Sequence, residues 1–146
     1  MNSINQTEPD HPVIPRVHEI DIRVRYQETD AQGRVHHANY LSYFEIGRVE
    51  MLRAAGVDYR KLEADGLMLV VSEAHCKYYV GAKYDDLLRL RTIVVQARGV
   101  RVKHRYEMFL GEDLVCEGTT TVAAINRDGN VVRLPKWLQM DKKPKS

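Results

Sequence analysis

A chain of 146 residues fits one domain, large enough to bury a core without disulfides or a structural metal. Its 22 Lys and Arg against 20 Asp and Glu leave a net charge of +2, too weak a field for a dedicated nucleic-acid binder. Cys76 and Cys116 form no C-x-x-C, the longest apolar run is Leu67 to Val71, and no basic stretch precedes an apolar one at the N-terminus. These features predict a cytoplasmic protein with two buried free thiols, no membrane span and no secretory signal.

Residues 1–15 are mostly polar, carry Pro9, Pro12 and Pro15 and show no period, which predicts a mobile arm. From Arg16 the pattern alternates: His18, Ile20, Ile22, Val24 and Tyr26 fall on one face, and Glu19, Asp21, Arg23 and Arg25 on the other. That is a half-buried strand. A turn from Glu28 to His37 then feeds a helix over Leu41 to Ala55. Leu41, Phe44, Val49, Leu52 and Ala55 define its apolar stripe, Tyr43, Glu50, Arg53 and Ala54 its wetter side, and Gly56 its left-handed stop. Asn39 is the candidate N-cap. Glu45 and Arg48 break the stripe, either as an i,i+3 ion pair or with Glu45 as a polar group facing a substrate cavity.

A helical connector over Val57 to Gly66 leads to a strand at Leu67 to Val80, broken at Gly81 to Asp86. Three further strands follow at Leu87 to Ala97, Val100 to Leu110 and Leu114 to Asn126. The first two junctions are short and marked by Gly, with Asp at the second, which predicts antiparallel hairpins. Residues 139–146 form a polar tail beyond a single domain at 16–138. The expected architecture is α+β, one long helix on a five-stranded antiparallel sheet. Its two open edges favour a homo-oligomer, a dimer or a tetramer.

Several catalytic engines are missing. None of the four serines sits in G-x-S-x-G, and neither G-x-G-x-x-G nor G-x-x-x-x-G-K-[ST] occurs. His36 and His37 are adjacent and are expected to point apart, a poor chelate, so no metal is predicted. What remains is the turn. Asp30 precedes Gly33 at type I turn spacing, which by itself is only structural. The same carboxylate stands just before a helix, however, where free backbone N–H groups and the helix dipole withdraw electrons. Asp30 as nucleophile or base beside a carbonyl polarised there is a workable layout for acyl transfer.

The stretch Tyr26-Gln-Glu-Thr-Asp-Ala-Gln-Gly-Arg-Val-His-His-Ala-Asn-Tyr-Leu-Ser-Tyr-Phe-Glu45 resembles the signature of the hotdog-fold thioesterases of the 4-hydroxybenzoyl-CoA thioesterase and YbgC-like group. That pattern is roughly Asp-Thr-Asp-x-x-Gly-x-Val-x-His-x-x-Tyr, followed by a helix with an aromatic-Glu pair. Glu28 stands here where Asp is usual, and Gly81-Ala82 where the group often has a proline-containing turn. The resemblance spans about residues 17–135 and implies a hotdog fold, a long helix wrapped by an antiparallel sheet. It also implies hydrolysis of an acyl-CoA, with Asp30 as the catalytic carboxylate and the backbone N–H at His37 on the thioester oxygen. Gly33 and Val35 would shape the turn.

The His37 side chain is either solvent-exposed or holds Asp30 or the attacking water. Tyr40 is either a pocket wall or a core ring. Arg98, Arg101 and Lys103 either meet the phosphates of coenzyme A or are simply solvated. No cofactor is implied beyond the coenzyme A of the substrate, and no nucleic-acid or membrane partner. A hotdog hydratase or dehydratase and a non-catalytic acyl-CoA sensor are the rival readings.

Overall fold

The computed structural model describes residues 12–141. Five strands, β1 (Val17–Arg23), β2 (Met68–Tyr78), β3 (Leu87–Arg98), β4 (Arg101–Leu110) and β5 (Asp113–Ile125), form one sheet in the order β1-β3-β4-β5-β2. Every neighbouring pair is antiparallel. Helix α1 (Asn39–Ala54) packs on one face, and the short α2 (Tyr59–Ala64) leads back to β2. This is the α+β arrangement that the alternating pattern and the hairpin signals predict. Among the described residues no helix is long and apolar enough to cross a membrane.

The phase of α1 differs from the expected stripe. Its buried residues are Tyr40, Tyr43, Phe44, Gly47, Met51 and Leu52, whereas Leu41 is 41% exposed and Val49 half-buried. The true spacing of three, one, three, four and one follows the 3.6-residue period closely. Tyr43 belongs to the core, not to the wet side, because its hydroxyl finds a buried acceptor while its ring packs apolar surface. Gly47 belongs there because the helix needs an absent side chain at that point. A Cβ on Gly47 would stand 2.4 Å from Thr92 Oγ1 and 2.8 Å from Leu90 Cδ2 on β3. Gly118 of β5 makes the matching space for Phe44, whose ring stacks on Tyr106 at 4.2 Å and 7°.

The helix ends as its sequence predicts. Gly56 takes φ +84°, its N–H donates to Arg53 O at 2.9 Å, and the Val57 N–H donates to Leu52 O at 2.9 Å. These two bonds close a Schellman turn, and Val57 is buried. At the other end Asn39 is not the cap. It is the first helical residue, and its side-chain amide donates to Glu28 O at 2.7 Å.

The core has two parts. One lies under the first half of α1 and includes Tyr40, Tyr43, Phe44, Leu88, Leu90, Tyr106 and Met108. The other lies under the second half and gathers Met51, Leu52, Val94, Val102, Val122 and Leu138. Ile14 is buried in this second part, Met140 packs against it, and Met140 also pairs with Ala97. Packing therefore extends beyond the expected domain bounds of 16 and 138, because apolar residues of both flanks cover the end of the sheet. Residues 1–11 of the expected arm and 142–146 of the expected tail lie outside the described residues. Tyr26, expected on the buried face of the first strand, is 76% exposed, since β1 ends at Arg23 and the chain turns over Tyr26–Glu28.

Candidate active site

The turn that carries Asp30 is a small closed hairpin built from its own sequence. The Gly33 N–H donates to Asp30 O at 2.9 Å, and the Gln32 N–H donates to Asp30 Oδ1 at 2.9 Å. That is the Asp-x-x-Gly turn expected from spacing, with Gly33 at φ +77°, where a Cβ would be strained. The Asp30 N–H donates to Arg34 O at 2.8 Å, and Thr29 and Val35 form an antiparallel bridge. Asp30 is half-buried, and among the described residues its Oδ2 accepts no hydrogen bond. It opens into a hollow lined also by Tyr26, Gln27, Thr29, Ala31, Gly33 and Tyr84.

Glu28 fastens this hairpin to α1. Glu28 is 9% exposed, and its carboxylate accepts from the Tyr43 hydroxyl at 2.9 Å and from the Arg25 N–H at 2.7 Å through Oε1. The Arg25 guanidinium reaches Oε2 at 3.2 Å. The backbone carbonyl of Glu28 meanwhile accepts from the His36 N–H at 2.9 Å and the Asn39 side chain at 2.7 Å. A buried carboxylate must be paired to be tolerated, and here every partner lies on the turn or on the helix. Burial, followed by the Glu28 carboxylate, pushes the Tyr43 hydroxyl well above its ordinary pKa, so it stays a donor. Glu28 and Tyr43 are the residues that sequence reasoning missed. They are fifteen positions apart, and neither lies on a face that a simple polar or apolar assignment marks as contact.

An imidazole closes the turn just before α1. His36 Nδ1 accepts from the Ala38 N–H at 3.1 Å, and His36 O accepts from the Asn39 N–H at 2.9 Å. The His37 N–H has no acceptor among the described residues. Tyr78 of β2 donates its hydroxyl to His37 O at 2.9 Å, which fixes that peptide. The two histidine rings do not diverge as expected; they stack at 4.3 Å and 24°, because the residues precede the helix and are not bound to its rotation. Both are exposed. Among the described residues no three His, Cys, Asp or Glu side chains gather as metal ligands.

The other sequence candidates separate into three groups. Gly33 is exposed at the tip of the turn, whereas Val35 and Tyr40 turn their side chains into the core at 6% and 3% exposure. Tyr40 is thus a core ring. It meets Tyr43 and Tyr78 edge-on, and burial raises its hydroxyl to about 12. Glu45 is exposed and forms no ion pair with Arg48; Arg48 instead donates to the Tyr106 hydroxyl at 3.0 Å, drawn inward by the buried Tyr106 and Thr120 hydroxyl pair. Arg98, Arg101 and Lys103 are exposed at the β3–β4 hairpin. Asp30 lies beyond the opposite end of β3, roughly 35 Å away by strand rise, so one chain does not bring them together.

Residues 24–141 match the Thioesterase-like superfamily. The acyl-CoA thioesterase YbgC of Haemophilus influenzae is 35% identical over 106 residues, 72% of this chain and 78% of that protein. A DHNA-CoA thioesterase from Staphylococcus aureus superposes with a TM-score of 0.78 at 28% identity, covering 81% of this chain and 80% of that one. A hypothetical protein from Aquifex aeolicus superposes with a TM-score of 0.80 at 32% identity, over 84% of this chain and 99% of that one. With a family match that takes in the Asp30 turn, α1 and all of β2 to β5, the chain belongs to the thioesterase-like superfamily and carries its hotdog fold.

Proposed function

We propose that this protein hydrolyses an acyl-CoA thioester to a free acid and coenzyme A at the Asp30 turn. The observation that carries the reading is a carboxylate with one oxygen unengaged among the described residues, on a turn locked by Glu28 to a helix start whose His37 N–H has no acceptor among them. The thioester oxygen takes that N–H, and the partial positive charge of the α1 N-terminus favours the developing oxyanion. Asp30 removes a proton from water as the water oxygen bonds to the carbonyl carbon. When the tetrahedral intermediate collapses the C–S bond breaks, and the departing thiolate takes up a proton. With Asp30 as nucleophile, its carboxylate oxygen bonds to the same carbon, the C–S bond breaks as the thiolate leaves, and water then opens the resulting mixed anhydride. The His37 ring, beside the turn and against Tyr78, orients Asp30 or the water. No metal or redox group enters this chemistry.

Assembly completes the picture. Among the described residues strand β2 is a sheet edge, with Val70, Val71 and Tyr78 exposed along it and Tyr79 and Val80 just beyond. A second copy of the chain is the natural cover for such an edge. Arg98, Arg101 and Lys103 reach coenzyme A phosphates only in a site shared between chains. We assign the protein to the cytoplasm.

The test is release of free thiol from short-chain, long-chain and aromatic acyl-CoAs, with native protein beside Asp30→Asn. Hydrolysis that falls by roughly a hundredfold or more in a folded Asp30→Asn chain supports the assignment. Hydrolysis unchanged by that substitution sinks it, and binding of acyl-CoA without hydrolysis by the native chain would mark a sensor.

A further inference from the structure

Beneath the second half of α1, away from the Asp30 turn, lies a cavity of about 100 Å³. Its walls are largely apolar, with Leu52, Val94, Val102 and Val122 among them. One side is polar. His104 of β4 lines it at 7% exposure, and His104 Nδ1 has no hydrogen-bond partner among the described residues. Beside it stands Arg48, which is half-buried, donates to the Tyr106 hydroxyl and forms no ion pair among the described residues. Glu45, one turn back on α1, reaches the same cavity from its exposed side.

Such a combination is costly when empty. A buried ring nitrogen without a partner loses its hydration and gains nothing, and a guanidinium at an apolar wall retains unused donors. Burial, and then the charge of Arg48, lowers the His104 pKa to about 3, so the ring stays neutral and offers one N–H and one lone pair. The wall is therefore rich in donors and carries one cation directed at a hydrocarbon pocket.

We propose that this cavity is a second, non-catalytic site for a short monocarboxylate, whose head meets Arg48 and His104 and whose tail lies against Val94, Val102 and Val122. Arg presents paired N–H donors to a carboxylate, which a neutral alcohol or amide does not match. The size sets the tail. A cavity of about 150 Å³ holds benzene, so one of about 100 Å³ takes roughly three or four carbons. Butyrate and isovalerate fit that description. Glu45 opposes the same head by like charge, which gives the site a signature of its own. If the proposed hydrolysis releases acids of this length, its product returns to a place remote from Asp30.

The test is calorimetric titration of the full native chain with acetate, butyrate, isovalerate, octanoate and 1-butanol, with methyl NMR to locate the site. We expect saturable binding of butyrate and isovalerate, at least tenfold tighter than of acetate, octanoate or butanol, with shifts at the methyls of Val94, Val102 and Val122. Binding is unchanged in Asp30→Asn, at least tenfold weaker in Arg48→Gln, and tighter in Glu45→Gln. Val122→Met, which fills the pocket without touching its charges, also weakens it and serves as the control should Arg48→Gln fail to fold. No binding of either acid overturns the proposal, as do shifts confined to Tyr26, Thr29 and Gln32 or equal binding of butanol. Because the readout is binding, a chain that binds butyrate but hydrolyses nothing would refute the proposed activity and leave this site standing.

Discussion

The two halves of α1 rest on the same sheet and are built differently. Under the first half the aromatic rings of Phe44 and Tyr106 stack, and the polar groups of Glu28, Tyr43 and Arg25 are all engaged. Under the second half a cavity remains, with His104 Nδ1 unpartnered at its wall. The contrast shows where the fold invests geometric precision. The end that faces Asp30 is locked by hydrogen bonds from several directions, whereas the far end presents Arg48 and His104 to a largely apolar cavity.

The largest effect that separates the halves is at Asp30. Asp30→Asn is expected to lower turnover by roughly a hundredfold or more while the thermal midpoint stays put, checked by steady-state kinetics beside calorimetry. Glu28→Ala comes next. It strands the Tyr43 hydroxyl and the Arg25 N–H, with a stability loss of about 2–3 kcal/mol in urea unfolding. Glu28→Gln, which keeps an acceptor for Tyr43, should lose clearly less. An equal loss in both variants would mean that packing, not the hydrogen bonds, joins the turn to the helix.

Gly47→Ala probes the seam between the halves. Its new methyl meets Thr92 Oγ1 and Leu90 Cδ2, both on a buried strand, and a loss of about 1–3 kcal/mol is expected. An unchanged midpoint would show that the helix can lift away from β3. The smallest effect is acid sensitivity of the second half. His104 has a pKa of about 3 folded against about 6.5 unfolded, so between these values the unfolded chain binds more protons. The stability contributed by this ring is therefore present above pH 6.5 and declines as the pH falls toward 3. Urea midpoints at pH 7, 5 and 4 should fall more steeply for the native chain than for His104→Leu.

Much of this was legible because it is local. Strand alternation, the glycines of the hairpins and the Asp30 to Gly33 turn are each decided within a few residues, and they stand where sequence reasoning predicts them. The phase of α1 was not. Tyr43 is polar by its hydroxyl and apolar by its ring, and Gly47 is neither, so the apolar pattern points to Leu41 and Val49 instead. The strand order escaped for a similar reason: β1 lies beside β3 and β2 beside β5, pairings that close over many residues and leave no mark at the junctions. At the site, Asp30 was found and its anchor was not, since the Glu28 to Tyr43 bond depends on how a turn and a helix meet in space.

One carbonyl, Glu28 O, takes both the His36 N–H and the Asn39 side chain. The turn and the first residue of the helix thus share an acceptor, so a displacement of Glu28 strains both bonds at once. In hydrogen-exchange terms the stretch from Glu28 to Asn39 is expected to behave as part of the same cooperative unit as α1 and not as a fraying loop. The His36 amide should exchange only when that unit unfolds, at a rate that tracks the slow amides of the helix, although its side chain stands in open water.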